Sequence, residues 1–271
     1  YNVETTAQAS TSGLQKAIGE KNLRSVVTLK VKGSINSYDI MVMRNKMDNL
    51  HYLDLADADV KSNTYDYYTG YSTQDDILGP HSFANLDKLM TVKLPKNVKY
   101  INQAFNNCSQ LRSVEMPENL ICLGDTIDYG WNMDGGVFRD CNNLEEIIFH
   151  NCEKIGGSAF FRCNSLQEIT LPKNLKHVGS CAFYNCDQLK DIILPSEVET
   201  IGGNAFDGCY NLSSVQFPPS LKLIESYAFS GCSKLSSINL PGLTSISEST
   251  FSGCSNLTEV KLPSTLERIG D

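Results

Sequence analysis

The segment LPKNLKHVGSCAFYNCDQLKDIILP, running from Leu171 to Pro195, decides how the rest of the chain is read. It carries an Ala-Phe pair (Ala182, Phe183), then Cys186, Leu189, Ile192, Leu194 and Pro195 at three, six, nine, eleven and twelve residues after the phenylalanine. Working outward, the same register returns at Phe83, Phe105, Phe138, Phe160, Phe206, Phe229 and Phe251. The intervals are 22 or 23 residues, and once 33. Cysteine holds the third position in seven of the eight copies (Leu86 replaces it in the first), and leucine holds the sixth in all eight. Proline holds the twelfth in seven, with His150 the exception.

Each copy therefore contains an L-x-x-I-x-L stretch, a short strand with one face inward. A second apolar pair follows, such as Leu175 with Val178 or Leu221 with Ile224, and small residues lead into the Ala-Phe turn. A single unit cannot bury its own apolar edge; stacking units at about 4.8 Å joins those edges into one spine. Eight units span about 38 Å at that spacing. The proline ends the strand at a corner, where its missing N–H costs nothing. A period of this length with L-x-x-L-x-L is the signature of a leucine-rich repeat, which predicts an α/β solenoid.

The motifs Ala-Phe-x-x-Cys-x-x-Leu and Leu-Pro-x-x-Leu-x-x-Ile-Gly, over roughly residues 80–271, resemble the BspA-like leucine-rich repeat family of bacterial cell-surface proteins. The resemblance implies a right-handed β-α superhelix, export to the cell surface, and adhesion or binding of host proteins in some members.

Composition narrows the function classes. The 271 residues are 41% hydrophobic and 20% charged, too balanced for a disordered acidic chain. A net charge of −8 opposes a nucleic-acid surface. No stretch is long and apolar enough for a membrane-spanning helix. The chain opens at Tyr1 without a charged-then-apolar leader, so it reads as mature or trimmed, with any signal peptide outside it. It stops in mid-repeat at Glu267–Asp271, and the expectation is that it continues beyond Asp271 or that the last rung is covered by something else.

Residues 1–80 read as an N-terminal cap with an irregular first repeat, and 81–271 as a solenoid of about eight units with an insertion at 124–136. In the cap, Ser12–Glu20 and Ser37–Met47 have helical spacing, Val26–Lys32 alternates like a strand, and Leu50–Val60 reads as an irregular strand. Such a lead-in keeps the first rung from pairing edge to edge with another molecule.

Ten cysteines invite a disulfide reading, but seven share one inward column and parallel neighbours at strand spacing are too far apart to bridge. They are expected as buried free thiols, with Cys122 and Cys181 alone at outward positions. With no C-x-x-C pair and four scattered histidines, no metal and no cofactor is expected. The aspartates Asp54, Asp57, Asp59, Asp66, Asp75 and Asp76 lack the EF-hand pattern and read as caps and surface charges. Nucleophile-elbow, phosphate-loop and zinc-protease motifs are all missing, so a non-catalytic protein is expected.

The expected function is protein–protein binding or adhesion at the outside of a bacterial cell, through the concave sheet and aromatic loops. On the sheet, Glu146, Glu168 and Asp191 form an acidic stripe beside Ile148 and Ile193, suited to a basic, partly apolar partner. Two insertions are rich in rings: Ser62–Asp76 with Tyr65, Tyr67, Tyr68 and Tyr71, and Gly124–Gly136 with Tyr129 and Trp131. Ile148, Ile193, Tyr67 and Trp131 are expected to be exposed. A host extracellular protein is the partner expected; a glycan bound by the tyrosines and tryptophan, or a spacer role within a longer surface protein, are the alternatives.

Overall fold

The computed structural model describes residues 1–7, 13–124 and 136–270. The repeats stack as rungs, and each rung has three sides. The first side is a three-residue strand (Thr91–Lys93, Ser113–Glu115, Glu146–Ile148, Asp191–Ile193, Ser214–Gln216, Ser237–Asn239, Glu259–Lys261), forming what we term the front sheet. Past the proline corner, a two-residue strand builds the second sheet, which runs unbroken through seven parallel strands from Ile77–Leu78 to Leu223–Ile224. The third side carries the phenylalanine.

That third side is held along the stack although it is not a strand. Two residues before and two residues after the phenylalanine, the backbone takes positive φ, as at Cys181 (56°) and Asn185 (53°) around Phe183. Alternating hands turn every second N–H toward the next rung: Cys181 donates to Gly203 O, Phe183 to Ala205 O and Asn185 to Asp207 O, all within 2.9 Å. Asparagine and glycine suit the later of these positions (Asn85, Asn107, Gly208, Gly231, Gly253) because a side chain there costs energy that they largely avoid. The helical part of the expected α/β solenoid lies in the N-terminal region, at Gly13–Ile18 and Ser37–Lys46; among the described residues the repeats use turns instead.

Inside, the phenylalanines stack ring on ring. Centroid separations run from 5.1 Å (Phe183 to Phe206) to 5.7 Å (Phe229 to Phe251), with rings within 17° of parallel. Beside them the column of cysteines is buried, only Cys254 in the last rung being partly exposed, and all ten cysteines are free thiols. Each thiol of the column donates back to the phenylalanine carbonyl of the preceding rung, as Cys163 to Phe138 O at 3.2 Å, Cys186 to Phe160 O at 3.1 Å and Cys209 to Phe183 O at 3.1 Å. The slot thus takes a small apolar group that is also a donor. Cys122 and Cys181 depart from expectation: both are buried. Cys122 is short and lies between Tyr100 and Lys154 on the paired strands. Cys181 occupies the positive-φ turn before the phenylalanine, whose amide is tied to Gly203.

At the N-terminal end, Asn2–Ala7 pairs in parallel with Thr28–Ile35, which pairs with Tyr52–Asp54, which in turn pairs with Thr91–Lys93. The front sheet therefore continues into this region. The helix Ser37–Lys46 is capped by Asn36, and the buried Asp39 carboxylate accepts from Leu14 N (2.8 Å) and Asn36 N (3.1 Å). Burial raises the Asp39 pKa against those two bonds. Several aspartates hold local structure: Asp54 and Asp57 each lie 3.7 Å from Lys30, Asp66 accepts from Gly70 N and Asp75 from Ser62 N.

Candidate binding surface

The second sheet and the front sheet treat charge in opposite ways. On the second sheet, oppositely charged residues occupy neighbouring rungs and meet: Asp76 with Lys99 at 2.9 Å, Glu153 with Lys176 at 3.1 Å, Glu199 with Lys222 at 3.0 Å. The lysine beside each holds the Asp76 and Glu199 carboxyls below their ordinary values. The front sheet begins the same way, with Lys93 at 2.9 Å from Glu115 and His150 at 3.5 Å from it. The next rungs carry Glu145 and Glu146, then Glu168, then Asp191, and among the described residues none of the four forms an ion pair. Glu146 accepts from the Ser113 hydroxyl at 2.8 Å on one side. Asp191 accepts from Ser213 and Ser214 at 3.0 and 2.8 Å on the other. Both flanking acids have turned away from Glu168, as like charges facing each other across a sheet should.

The ladder opens at the same place. Glu146–Ile148 pairs back to Ser113–Glu115, and Asp191–Ile193 pairs forward to Ser214–Gln216, but Glu168–Thr170 pairs with neither neighbour. The corner bonds seen from Met116 to Ile148 O (2.9 Å) and Leu194 to Gln216 O (3.1 Å) have no counterparts from Phe149 or Leu171. Ile169, at the position buried in most rungs, becomes partly exposed. The unpaired rung lines two grooves of about 510 Å³ each, one shared with Glu145, Glu146, Ile148 and Phe149, the other with Leu171, Lys173, Asp191, Ile193 and Pro195. Ile148 is 39% and Ile193 61% exposed beside them. The expected stripe and its isoleucines are thus neighbours on one accessible surface. The opening itself, and Glu145, Thr170 and Lys173 within it, were not foreseen; the signal available in the sequence was three acids in one column with no base between them.

The tyrosine loop is a different case. Asp66–Tyr68 and Tyr71–Ser72 form a short antiparallel hairpin, so alternate side chains point opposite ways. Tyr67 corrects the expectation of exposure: it is 3% exposed, and its hydroxyl donates to Pro80 O at 2.8 Å. Burial pushes its pKa up to about 12. Tyr65, Tyr68 and Tyr71 are exposed, but their rings are engaged within the chain. Tyr65 stacks on Tyr38 at 4.2 Å, and the Tyr68 ring meets His81 at 4.7 Å and the Arg44 guanidinium at 4.5 Å. Tyr71 lies 6.0 Å from His81. Tyr129 and Trp131 lie outside the described residues.

Comparison with known proteins follows the same line. The model of the BspA type leucine-rich repeat region, in six copies, matches residues 76–134, 131–241 and 178–271. A leucine-rich repeat protein of T. pallidum is 29% identical, with a TM-score of 0.57 over 67% of this chain and 82% of that one. A leucine-rich cell surface protein of Faecalibacterium prausnitzii A2-165 is 24% identical, with a TM-score of 0.50 over 78% of this chain and 47% of that one, so the likeness is one of fold. No curated protein matches the chain.

Proposed function

The chain belongs to the BspA-type leucine-rich repeat family, and from that premise we propose that it is a non-catalytic binding protein of the bacterial cell surface whose partner docks on the front sheet around Glu168. Residues 1–80 serve as the cap and 81–271 as the binding solenoid. The observation that carries this reading is the coincidence, on one face, of the unpaired rung Glu168–Thr170, two exposed isoleucines and unpaired acids, on a molecule whose second sheet is continuous through the same rungs with its charges paired. Repeat proteins of this family are typically binding scaffolds rather than enzymes, and solenoids recognise partners through extended faces. Among the described residues no helix is long and apolar enough to cross a membrane.

Affinity capture from host and bacterial extracts tests the proposal, using the parent and the Ile148→Ser/Ile193→Ser double variant in parallel. A partner retained by the parent and lost by the double variant, with unchanged thermal unfolding, supports docking at this face. A partner held equally by both moves the site elsewhere.

A further inference from the structure

Resting on the front-sheet reading, we propose that the paired grooves around Glu168–Thr170 seat an extended segment of a partner protein in which lysine or arginine alternates with aliphatic residues. Charge complementarity selects this occupant. Glu145, Glu146, Glu168 and Asp191 line the two grooves with Lys173 as the one base among the lining residues. Arg112 stands opposite Glu145 in register without forming an ion pair among the described residues, and the column of Glu146, Glu168 and Asp191 is flanked by Ser113 and Ser214 rather than by a base. Everywhere the second sheet stacks acids on bases, the same chain shows that such matching is within its means. Three acidic rungs left unmatched give up that attraction at the rung where the ladder is open, and a cationic guest supplies the missing partner.

The apolar half of the guest follows from Ile148 and Ile193. Each stands two residues after an acid on its own strand, so acid and isoleucine share the outward face. The two isoleucines are two rungs apart, about 10 Å at strand spacing. An extended segment laid down the stack therefore meets an apolar column beside an acidic one. Its cationic side chains reach Glu146, Glu168 and Asp191, and its aliphatic ones cover Ile148, Ile169 and Ile193. Neither a plain polycation nor a plain apolar peptide satisfies both columns.

Fluorescence anisotropy with a short labelled peptide of alternating arginine and valine tests this on the full chain, against a charge-reversed peptide of glutamate and valine and against spermine. The arginine peptide is expected to bind, with affinity falling as salt rises. The Glu146→Gln/Glu168→Gln/Asp191→Asn variant is expected to weaken it by about tenfold or more, and Ile148→Ser/Ile193→Ser by about tenfold. The second-sheet change Glu153→Gln leaves it unaltered. Absence of binding, equal binding of the charge-reversed peptide, spermine binding as tightly as the peptide, or undiminished binding to the acid-deleted variant overturns the proposal. If the peptide fails while the isoleucine variant still loses a captured partner, the cationic guest is wrong and the front-sheet site stands; if the capture also fails to depend on the isoleucines, both fall.

Discussion

Two sheets of one solenoid, built from the same repeat, have different fates. In the second sheet seven parallel strands run without a gap from Ile77–Leu78 to Leu223–Ile224, a separate pair (Ser245–Ile246 with Arg268–Ile269) follows, and charges along the continuous part alternate in sign and pair. In the front sheet the ladder is continuous from Asn2–Ala7 to Glu146–Ile148, opens at Glu168–Thr170, resumes for Asp191–Ile193 with Ser214–Gln216, and opens again before Ser237–Asn239. Phenylalanine, cysteine and leucine at the first, third and sixth positions repeat as regularly through the open rungs as through the closed ones. The inward position before the corner, however, carries the larger, partly buried Phe149 and Phe217 on the rungs that precede the two openings, where the other rungs carry leucine or methionine. Around Glu168 the solvent-facing column turns acidic, and the preceding corner has Phe149 and His150 where other rungs have leucine or methionine and proline. The lesson is that the phenylalanine, cysteine and leucine columns fix a rung's place in the stack, while pairing of its backbone varies with the residues at the corner and on the outer face.

The largest effect expected from breaking this contrast is in the core. Ile201→Ala in the second sheet removes a fully buried side chain and should cost about 2–5 kcal/mol in chemical denaturation. Ile193→Ala, on the front face, should stay within about 0.5 kcal/mol of the parent. Equal losses at both positions would mean that Ile193 is packed rather than presented.

Alkaline pH probes the third side, which holds both sheets. Burial raises the Cys108 thiol from 9.0 to about 12, and pushes Cys141, Cys163 and Cys209 up as well. A group that keeps its proton more tightly when folded contributes stability that is complete below its unfolded pKa and lost as pH rises toward the folded one. Unfolding midpoints should therefore fall steeply between pH 9 and about 12, and thiol-alkylating reagents should reach the cysteines other than the partly exposed Cys254 only as the chain unfolds. A midpoint flat across that window would contradict the buried donor ladder.

Smaller shifts come from exchanging the two charge patterns. Lys176→Glu, which stacks three acids on the second sheet, should lower the thermal midpoint, and Glu168→Lys, which interrupts the stack on the front sheet, should raise it. Both changes should be several-fold smaller than that of Ile201→Ala, because exposed charges are screened by water and salt. Opposite signs are the informative result; the same sign for both would detach the opening from the acids.

Much of this was legible before any coordinates. The phenylalanine, cysteine and leucine columns give the rung and its stacking because each is an inward position that only apolar side chains tolerate. The lead-in helix Ser37–Lys46 and the strand at Thr28–Ile35 were visible from spacing, whereas the polar strand Asn2–Ala7 carried no apolar alternation to betray it. The cysteine column was read as small and apolar, which hid its second property, the S–H donated to a phenylalanine carbonyl. The positive-φ turn after the phenylalanine showed in asparagine and glycine; the one before it, filled by His81, Gln103, Ser158, Cys181, Asn204, Tyr227 and Ser249, has no shared residue type to announce it. On the site, the acids and isoleucines were found from their column. Composition alone does not reveal that Tyr67 is buried, because alternation along the strand Asp66–Tyr68 of the hairpin turns that one ring inward.

Amide hydrogen exchange resolved to single residues compares the two sheets in one experiment. Gly179 and Gly202, whose N–H groups donate to Ile155 O (2.7 Å) and Val178 O (2.8 Å), should exchange slowly, while Ile169, Thr170 and Leu171 exchange orders of magnitude faster. Equal protection of both groups would show that the front ladder is closed at Glu168.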